Sequence, residues 1–313
     1  MSQGRGQLAI VLHTHMPYVE SFGTWPFGEE WLWRATAESY LRLEDTLARH
    51  PLTVGLTPVL ADQFEAVKSA AGDRMLDFFR DSREHVFAED MRSFHEVGEG
   101  EMSIALAPQL EDYRRAAARF EELDRDMSRV FAGAAELLAG PATHPIMPLV
   151  ATDFGRDLQL QTGIDSHRSR FGDWNGGLWL SECAYAPGVE RSLERAGVSH
   201  FCVDQSRVYG KDSLDNLEPV AAGETVAVPI DWKTVELIWT AQGYPVAAPY
   251  RSTFDLTIHS LMPRRNGGGP HDPAEARAQA ASDAGDFLRR VRVRLDEYAA
   301  QRGRPGTCVV AID

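Results

Sequence analysis

The chain has 313 residues, of which 46 are acidic and 32 basic, so its formal charge at pH 7 is −14. Hydrophobic residues make up 43% and charged residues 25% of the chain, a globular composition that excludes a disordered or fibrous protein. The acidic balance argues against nonspecific nucleic-acid binding, because phosphate backbones attract clustered lysine and arginine.

Short apolar runs alternate with longer helical stretches, which is typical of βα units and a parallel sheet. The runs that predict strands are 8–12, 53–57, 146–151, 178–180, 200–203, 226–230 and 308–312. Helices are predicted over 29–49, 61–80, 188–196 and 272–302, with two or more long helices over 84–138. Seven strands in an α/β chain indicate either an incomplete, TIM-like (β/α)7 barrel or a doubly wound sheet.

The simplest domain organisation is one catalytic domain over residues 1–313. A helical insertion at about 84–140 separates the second and third predicted strands, and its opposite charges indicate a solvated face. The sequence stops directly after the apolar run 308–312, so we expect a further C-terminal region in the natural protein.

Two features of the sequence indicate the cellular compartment of the protein. The apolar stretch near the N-terminus, 8–12, is too short for a signal peptide or a membrane span, so no membrane partner is expected. Cys183, Cys202 and Cys308 are odd in number and lack the spacing of metal ligands. They indicate reduced thiols and a cytoplasmic protein. The sequence leaves the oligomeric state open.

The polar residues that follow the predicted strands are acidic or imidazole: His13, His15, Glu182, Asp204, Asp231 and Asp313. Ligands bind at the carboxyl ends of parallel strands, so these side chains are expected to converge on one face. A pair of carboxylates there supports glycoside cleavage by a general acid and a nucleophile. Histidine and aspartate would instead support a divalent metal that activates water.

His13 and His15 point to the same side of an extended strand, because strand side chains alternate. That arrangement fits a pair of metal ligands and equally fits two hydrogen-bond donors to sugar hydroxyls. Aromatic residues cluster near the same positions, among them Trp25 after the first strand and Trp239 after the sixth. Aromatic rings beside a polar cleft stack on sugar faces, although a single Trp is more often part of the core.

Six segments together resemble glycoside hydrolase family 57, most closely its 1,4-α-glucan branching enzymes of actinobacterial type. They are HTHMPYV at 13–19, TPVLADQ at 57–63, ATHP at 142–145, HRSRFG at 167–172, GLWLSECAYAPGVE at 177–190 and DWKTVELIWTAQGYP at 231–245. The resemblance implies an incomplete (β/α)7 barrel followed by a helical C-terminal domain, which this sequence lacks. It also implies a retaining mechanism without metal or cofactor.

By this resemblance Glu182 is the nucleophile and Asp313 the general acid/base. His13 and His15 match the family's substrate-binding histidines, and Trp239 matches a family tryptophan. Further candidates for substrate contact are Trp25, His144 and Asp231. Two departures stand out, since Ile230 replaces an arginine before Asp231 and Ser181 replaces a proline before Glu182.

The function that the resemblance implies is cleavage of an α-1,4 glucan and transfer of the chain to a 6-hydroxyl, as in glycogen biosynthesis. The expected partner is an α-glucan polysaccharide or oligosaccharide. An α-amylase or a 4-α-glucanotransferase would use the same two carboxylates. A metal-dependent polysaccharide deacetylase would need an Asp-His-His set, for which no H-x3-H pair follows a strand. A further alternative is a fragment that binds glucan without turnover.

Overall fold

The structure is a computed structural model that describes residues 6–24 and 28–312. Its strands are β1 (Gly6–Thr14), β2 (Thr53–Leu56), β3 (Glu136–Leu138), β4 (Gly177–Trp179), β5 (His200–Val203), β6 (Val220–Ala222), β7 (Thr225–Pro229) and β8 (Gly306–Ile312). Within the described residues they form two four-stranded sheets, in the orders β3-β2-β1-β8 and β4-β5-β7-β6. Every pairing is parallel except that of β6 with β7.

The two sheets are connected at two places. A parallel bridge joins Ala139 to Leu178, so β3 lies beside β4. On the other side the N–H of Asp231, just after β7, donates to the carbonyl of Val309 in β8 at 2.8 Å. The parallel strands therefore follow one another in barrel order, although no continuous ladder joins β7 to β8 in the described chain. The predicted α/β class, with a parallel sheet and helices, is confirmed.

The prediction of the third strand was wrong. The run 146–151 contains only a single helical turn, Met147–Leu149, and the strand is Glu136–Leu138. Pro145 and Pro148 have no N–H to donate to a sheet, which disfavours a central strand there. Glu136–Leu138 follows long helices and is rich in leucine, so local pattern assigned it to a helix; pairing with β2 makes it a strand.

The helices surround the strands. They are α1 (Glu30–Ala35), α2 (Leu41–Arg49), α3 (Pro58–Ala66), α4 (Ala70–Asp77), α5 (Arg83–Glu96), α6 (Gly100–Glu122), α7 (Asp153–Phe171), α8 (Val189–Arg195), α9 (Ser206–Tyr209), α10 (Trp232–Trp239) and α11 (Pro273–Arg302). Sequence analysis did not predict α7 or α10. Helix α7 is capped by Thr152, the residue before it, whose hydroxyl accepts from the N–H of Gly155 at 3.0 Å. None of the described helices is both long and apolar enough to cross a membrane.

The core has an inner and an outer part. Inside the ring of strands lie Val11, Leu138, Trp179, Val309 and Ala311, among others. Outside it, Cys308 and Val310 pack against Leu295 and Tyr298 of α11. Strand β8 is thus buried on both faces, which explains why it reads as a continuous apolar run.

A long segment, residues 240–272, connects α10 to α11 with little regular structure. It is attached to the helices between β2 and β3. Nδ1 of His259 lies 2.7 Å from a carboxylate oxygen of Asp90 in α5. The amide of Gln109 in α6 donates to the carbonyl of Met262 at 2.8 Å. These contacts attach the 240–272 segment to α5 and α6, and the segment shares a cavity with Ile312 at the carboxyl end of β8.

Candidate active site

Glu182 stands on a strained turn directly after β4. Its φ and ψ are 58° and 21°, and Cys183 also has a positive φ of 50°. Non-glycine residues in this region cost on the order of 1–3 kcal/mol each, and such strain clusters at functional sites. The turn is fixed by the N–H of Cys183, which donates to Leu180 at 2.9 Å. As a result the Glu182 side chain is 68% exposed, whereas Ser181 and Cys183 are buried.

Three imidazoles stack beneath this carboxylate. The ring centroids of His13 and His144 are 5.0 Å apart, and those of His15 and His144 are 4.1 Å apart. His13 also stacks on Trp179 at 4.5 Å. Nε2 of His144 lies 3.5 Å from Oε1 of Glu182. The structure therefore brings together the predicted site residues Glu182, His13, His15 and His144.

The imidazoles are held in the neutral form. Burial, together with the neighbouring His144 and His15, lowers the pKa of His13 to about 3. Burial and His144 lower the pKa of His15 to about 4. Burial also lowers the pKa of His144, although Glu182 opposes that shift. A neutral imidazole has one donor and one acceptor nitrogen, so the stack can exchange hydrogen bonds with hydroxyl groups without presenting charge.

Several ring nitrogens in this stack have no hydrogen-bond partner. Both nitrogens of His13, Nδ1 of His144 and the indole nitrogen of Trp179 are buried and make no hydrogen bond within the described residues. An unsatisfied buried polar group costs about 1–3 kcal/mol. A polyhydroxylated ligand above the stack supplies the kind of group that these nitrogens lack.

A small cavity of about 150 Å³ opens at Glu182. Its walls include His13, Trp179, Asp204 and Trp239. Asp204 follows β5, and its carboxylate accepts from the N–H of Ser206 at 2.8 Å. The cavity thus combines two carboxylates, neutral imidazole and indole rings. This chemistry suits a neutral, hydroxyl-rich substrate with an electrophilic carbon that Glu182 can reach.

Gly55 is a site-supporting residue that sequence reasoning missed. A Cβ at this position in β2 would lie 3.3 Å from Nδ1 of His13 and 3.3 Å from Cβ of Trp179. Glycine therefore lets the stacked pair approach the neighbouring strand. A glycine inside a strand is the local signal of such a close approach.

Asp231 requires a correction. It was predicted to contact substrate, but its carboxylate is fully buried in an ion pair with Arg294 of α11, at 2.6 and 2.7 Å. Thr234 donates to the same carboxylate at 2.5 Å. Helix α10 begins directly after Asp231 and turns its carboxylate toward α11, away from the cavity. Asp231 therefore anchors the start of α10.

The remaining predicted residues divide into two groups. Trp239, the last residue of α10, is 52% exposed and lines the Glu182 cavity. Trp25 and Asp313 lie outside the described residues. In the part of the chain that the structure describes, no group of three or more His, Cys, Asp or Glu side chains has the arrangement of a metal site.

Comparisons with known proteins add to this geometry. The family model described as Glycosyl hydrolase family 57 matches residues 9–238. A probable 1,4-alpha-glucan branching enzyme of Mycobacterium tuberculosis is 33% identical over 98% of this chain and 64% of its own length. The chain thus spans about 64% of the length of this relative.

Two solved structures share the fold over nearly the whole chain. The GH57-type branching enzyme of Pyrococcus horikoshii superposes with a TM-score of 0.88 at 25% identity, covering 99% of this chain and 63% of that one. The GH57 branching enzyme of Thermococcus kodakaraensis, crystallised with glucose, superposes with a TM-score of 0.85 at 26% identity. This superposition covers 99% of the present chain and 64% of the Thermococcus kodakaraensis chain.

Proposed function

Because the chain belongs to glycosyl hydrolase family 57, we propose that it is a 1,4-α-glucan branching enzyme that works through a covalent glycosyl-enzyme on Glu182. The observation that carries this proposal is the exposed Glu182 carboxylate, held by a strained turn above the neutral stack of His13, His15 and His144. The relatives named as branching enzymes support the α-glucan substrate.

The proposed reaction has two displacements. In the first, a Glu182 carboxylate oxygen bonds to the anomeric carbon while the bond from that carbon to the leaving glucan oxygen breaks. A general acid protonates the leaving oxygen; we assign this role to Asp313, from the family motif. In the second, a glucan 6-hydroxyl bonds to the anomeric carbon, Asp313 takes its proton, and Glu182 is released. If water attacks instead, the product is a hydrolysed chain.

The surrounding groups have binding roles in this proposal. His13, His15 and His144 exchange hydrogen bonds with sugar hydroxyls as neutral rings, so they do not add positive charge near the developing oxocarbenium ion. Trp239 presents an exposed indole to a sugar face, and Trp25 is assigned the same role from the sequence. The reaction as proposed needs no metal or cofactor.

We further propose that the protein acts in the cytoplasm, in glycogen biosynthesis. Cys183, Cys202 and Cys308 are buried free thiols, which supports a reducing compartment. The proposed organisation is a catalytic (β/α)7 barrel over residues 1–313, with the helical insertion at about 84–140. A helical C-terminal domain beyond this sequence belongs to the same proposal.

The test is incubation with amylose, followed by isoamylase debranching and chain-length profiling. We expect new α-1,6 branches from the wild type. Glu182→Gln should lose branching by ~10³-fold or more, because no covalent intermediate forms. The control Glu224→Gln changes an exposed carboxyl in the turn between β6 and β7 and should retain activity. Reducing ends without branches would make the protein a hydrolase, and unaltered amylose would contradict the proposed substrate.

A further inference from the structure

A second and larger cavity adjoins the one at Glu182. Its volume is about 810 Å³, and it shares Trp239 and Ile312 with the Glu182 cavity. Its other walls come from the end of α10 and from the 240–272 segment. Ligand pockets in proteins typically measure about 300–1,000 Å³, so this space is large enough for several linked sugar units.

Two of the aromatic residues that line this cavity are hydrogen-bonded to a neighbouring helix. The hydroxyl of Tyr244 donates to Asp286, and that of Tyr250 donates to Asp283, each at 2.7 Å. Both aspartates belong to α11, so the two rings are fixed against a long helix. Burial and the contact with Asp286 raise the pKa of Tyr244 to about 12, so its phenol stays protonated at neutral pH.

Phe254 lines the same cavity at its rim and is 92% exposed. A phenylalanine in that position contributes almost nothing to folding, because burial of its ring is what would stabilise the protein. Exposed apolar surface shared by several residues beside a groove is typical of a binding site, and Phe254 lines this cavity together with the exposed Trp239 and Val246. The ring is therefore free to contact a ligand in this cavity.

The cavity also contains a partly buried cation. Arg251 lines it, and within the described residues its Nε is buried without a hydrogen-bond partner. Burial lowers the pKa of this guanidinium, although it stays charged at neutral pH. A guanidinium has five N–H donors in a fixed fork, which suits the closely spaced oxygens of a sugar.

We propose that this cavity binds the part of the α-glucan chain that extends beyond the sugar units held at Glu182. The rings of Tyr250 and Phe254 stack on sugar faces, and Arg251 donates to hydroxyls. We choose this occupant because Trp239 lines both cavities. A glucan chain that leaves the Glu182 cavity along this indole enters the second cavity directly. The inference rests on the proposed branching function.

The decisive experiment measures binding without turnover. In the Glu182→Gln background, isothermal titration calorimetry compares maltoheptaose with maltose. Adding Phe254→Ala should weaken maltoheptaose binding on the order of five- to tenfold, because a stacked ring is lost, and should leave maltose affinity unchanged. Phe154→Ala is the matched control, since Phe154 is 77% exposed on α7 and lines neither cavity.

A kinetic measurement separates this inference from the proposed function. Phe254→Ala should raise KM for amylose more than it lowers kcat, whereas Phe154→Ala should match the wild type. If maltoheptaose binds equally well with and without Phe254→Ala, or does not bind at all, the second cavity is not a glucan site. If the wild type forms no branches, the proposed function fails, and the calorimetry still decides whether the cavity binds glucan.

Discussion

His13, His15 and His144 stack within 4.1 to 6.2 Å of one another, an arrangement that disfavours charge on any of them. A proton added to one ring would sit in a desolvated environment, and a second proton would also be repelled by the first. Neutral rings place no cation beside the Glu182 carboxylate, which lies 3.5 Å from Nε2 of His144. The neighbours thus decide the proton state of the histidines.

This arrangement predicts the titration order of the histidines. His13 and His15 should remain neutral at pH 5.5, because their pKa values lie at about 3 and about 4. His200 should already be protonated at that pH, because its contact with Glu136 raises its pKa above 6.5. Histidine-selective ¹⁵N labelling and NMR titration measure the pKa values of these three histidines. Titration of His13 near 6.5 would contradict the stack as described.

The same shifts give stability a pH dependence with a definite sign. His13 and His15 have lower pKa values when folded than the usual 6.5, so the unfolded chain takes up protons first as the pH falls. Their contribution to the free energy of unfolding is therefore complete above pH 6.5. It is lost progressively as the pH falls toward about 3.

At the scale of elements, one buried ion pair connects the start of helix α10 to α11. Asp231 precedes the helix and is bound by Arg294 of α11, whose side chain is only 6% exposed. Arg294 also donates to the carbonyls of Asp212 and Ser213, at 3.1 and 2.8 Å. One guanidinium thus joins three chain segments at the base of the helix that carries Trp239 into the candidate site.

Removing one partner of this pair should be costly. Arg294→Met leaves the Asp231 carboxylate buried without a counter-charge, which should lower the free energy of unfolding by about 3–5 kcal/mol. Urea denaturation measures this change in the free energy of unfolding. The control Arg289→Met breaks an ion pair with Asp286 on the same helix, where the arginine is 67% exposed, and should cost about 1 kcal/mol or less.

A double variant distinguishes charge from packing. Asp231→Asn combined with Arg294→Met removes the buried charge, so it should recover part of the stability lost by Arg294→Met alone. No recovery would mean that the arginine acts through its packing and its carbonyl contacts, and the ion pair would not be the anchor of α10.

For the molecule as a whole, parts distant in sequence combine to form the cavities. The 240–272 segment walls the larger cavity, but it is held by α5 and α6, which lie between β2 and β3. Gln109 of α6 both donates to the carbonyl and accepts from the N–H of Met262, at 2.8 and 3.3 Å. The helical region therefore supports a binding surface as well as its own core.

Loss of this attachment should loosen the segment without unfolding the protein. Gln109→Ala removes two hydrogen bonds, each worth about 0.5–1.5 kcal/mol, so local opening should increase roughly tenfold. Hydrogen exchange with mass spectrometry should show faster exchange in peptides covering 257–265 and unchanged exchange in β1 and β8. Glu111→Ala, an exposed change on the same helix, is the control. If peptides covering 257–265 exchanged equally fast in both variants, α6 would not support the 240–272 segment.

Local pattern was sufficient for much of this fold. Of the seven parallel strands in the described part of the chain, six were predicted near their observed positions, because short apolar runs between helical stretches mark the strands of a parallel sheet. Strand ends then pointed to His13, His15 and Glu182, since parallel strands present their carboxyl ends together. Six motifs together, among them those around His13 and Glu182, indicated the family without any knowledge of contacts.

Other features depended on partners far away in the chain. Glu136–Leu138 is a strand because it pairs with β2. Asp231 does not line the site because Arg294, 63 residues later in the chain, binds its carboxylate. Gly55 matters only because two rings from other strands press against it. The second cavity exists because distant helices hold the 240–272 segment. Periodicity and motifs report what a residue prefers locally, whereas burial and charge pairing depend on neighbours that folding alone brings together.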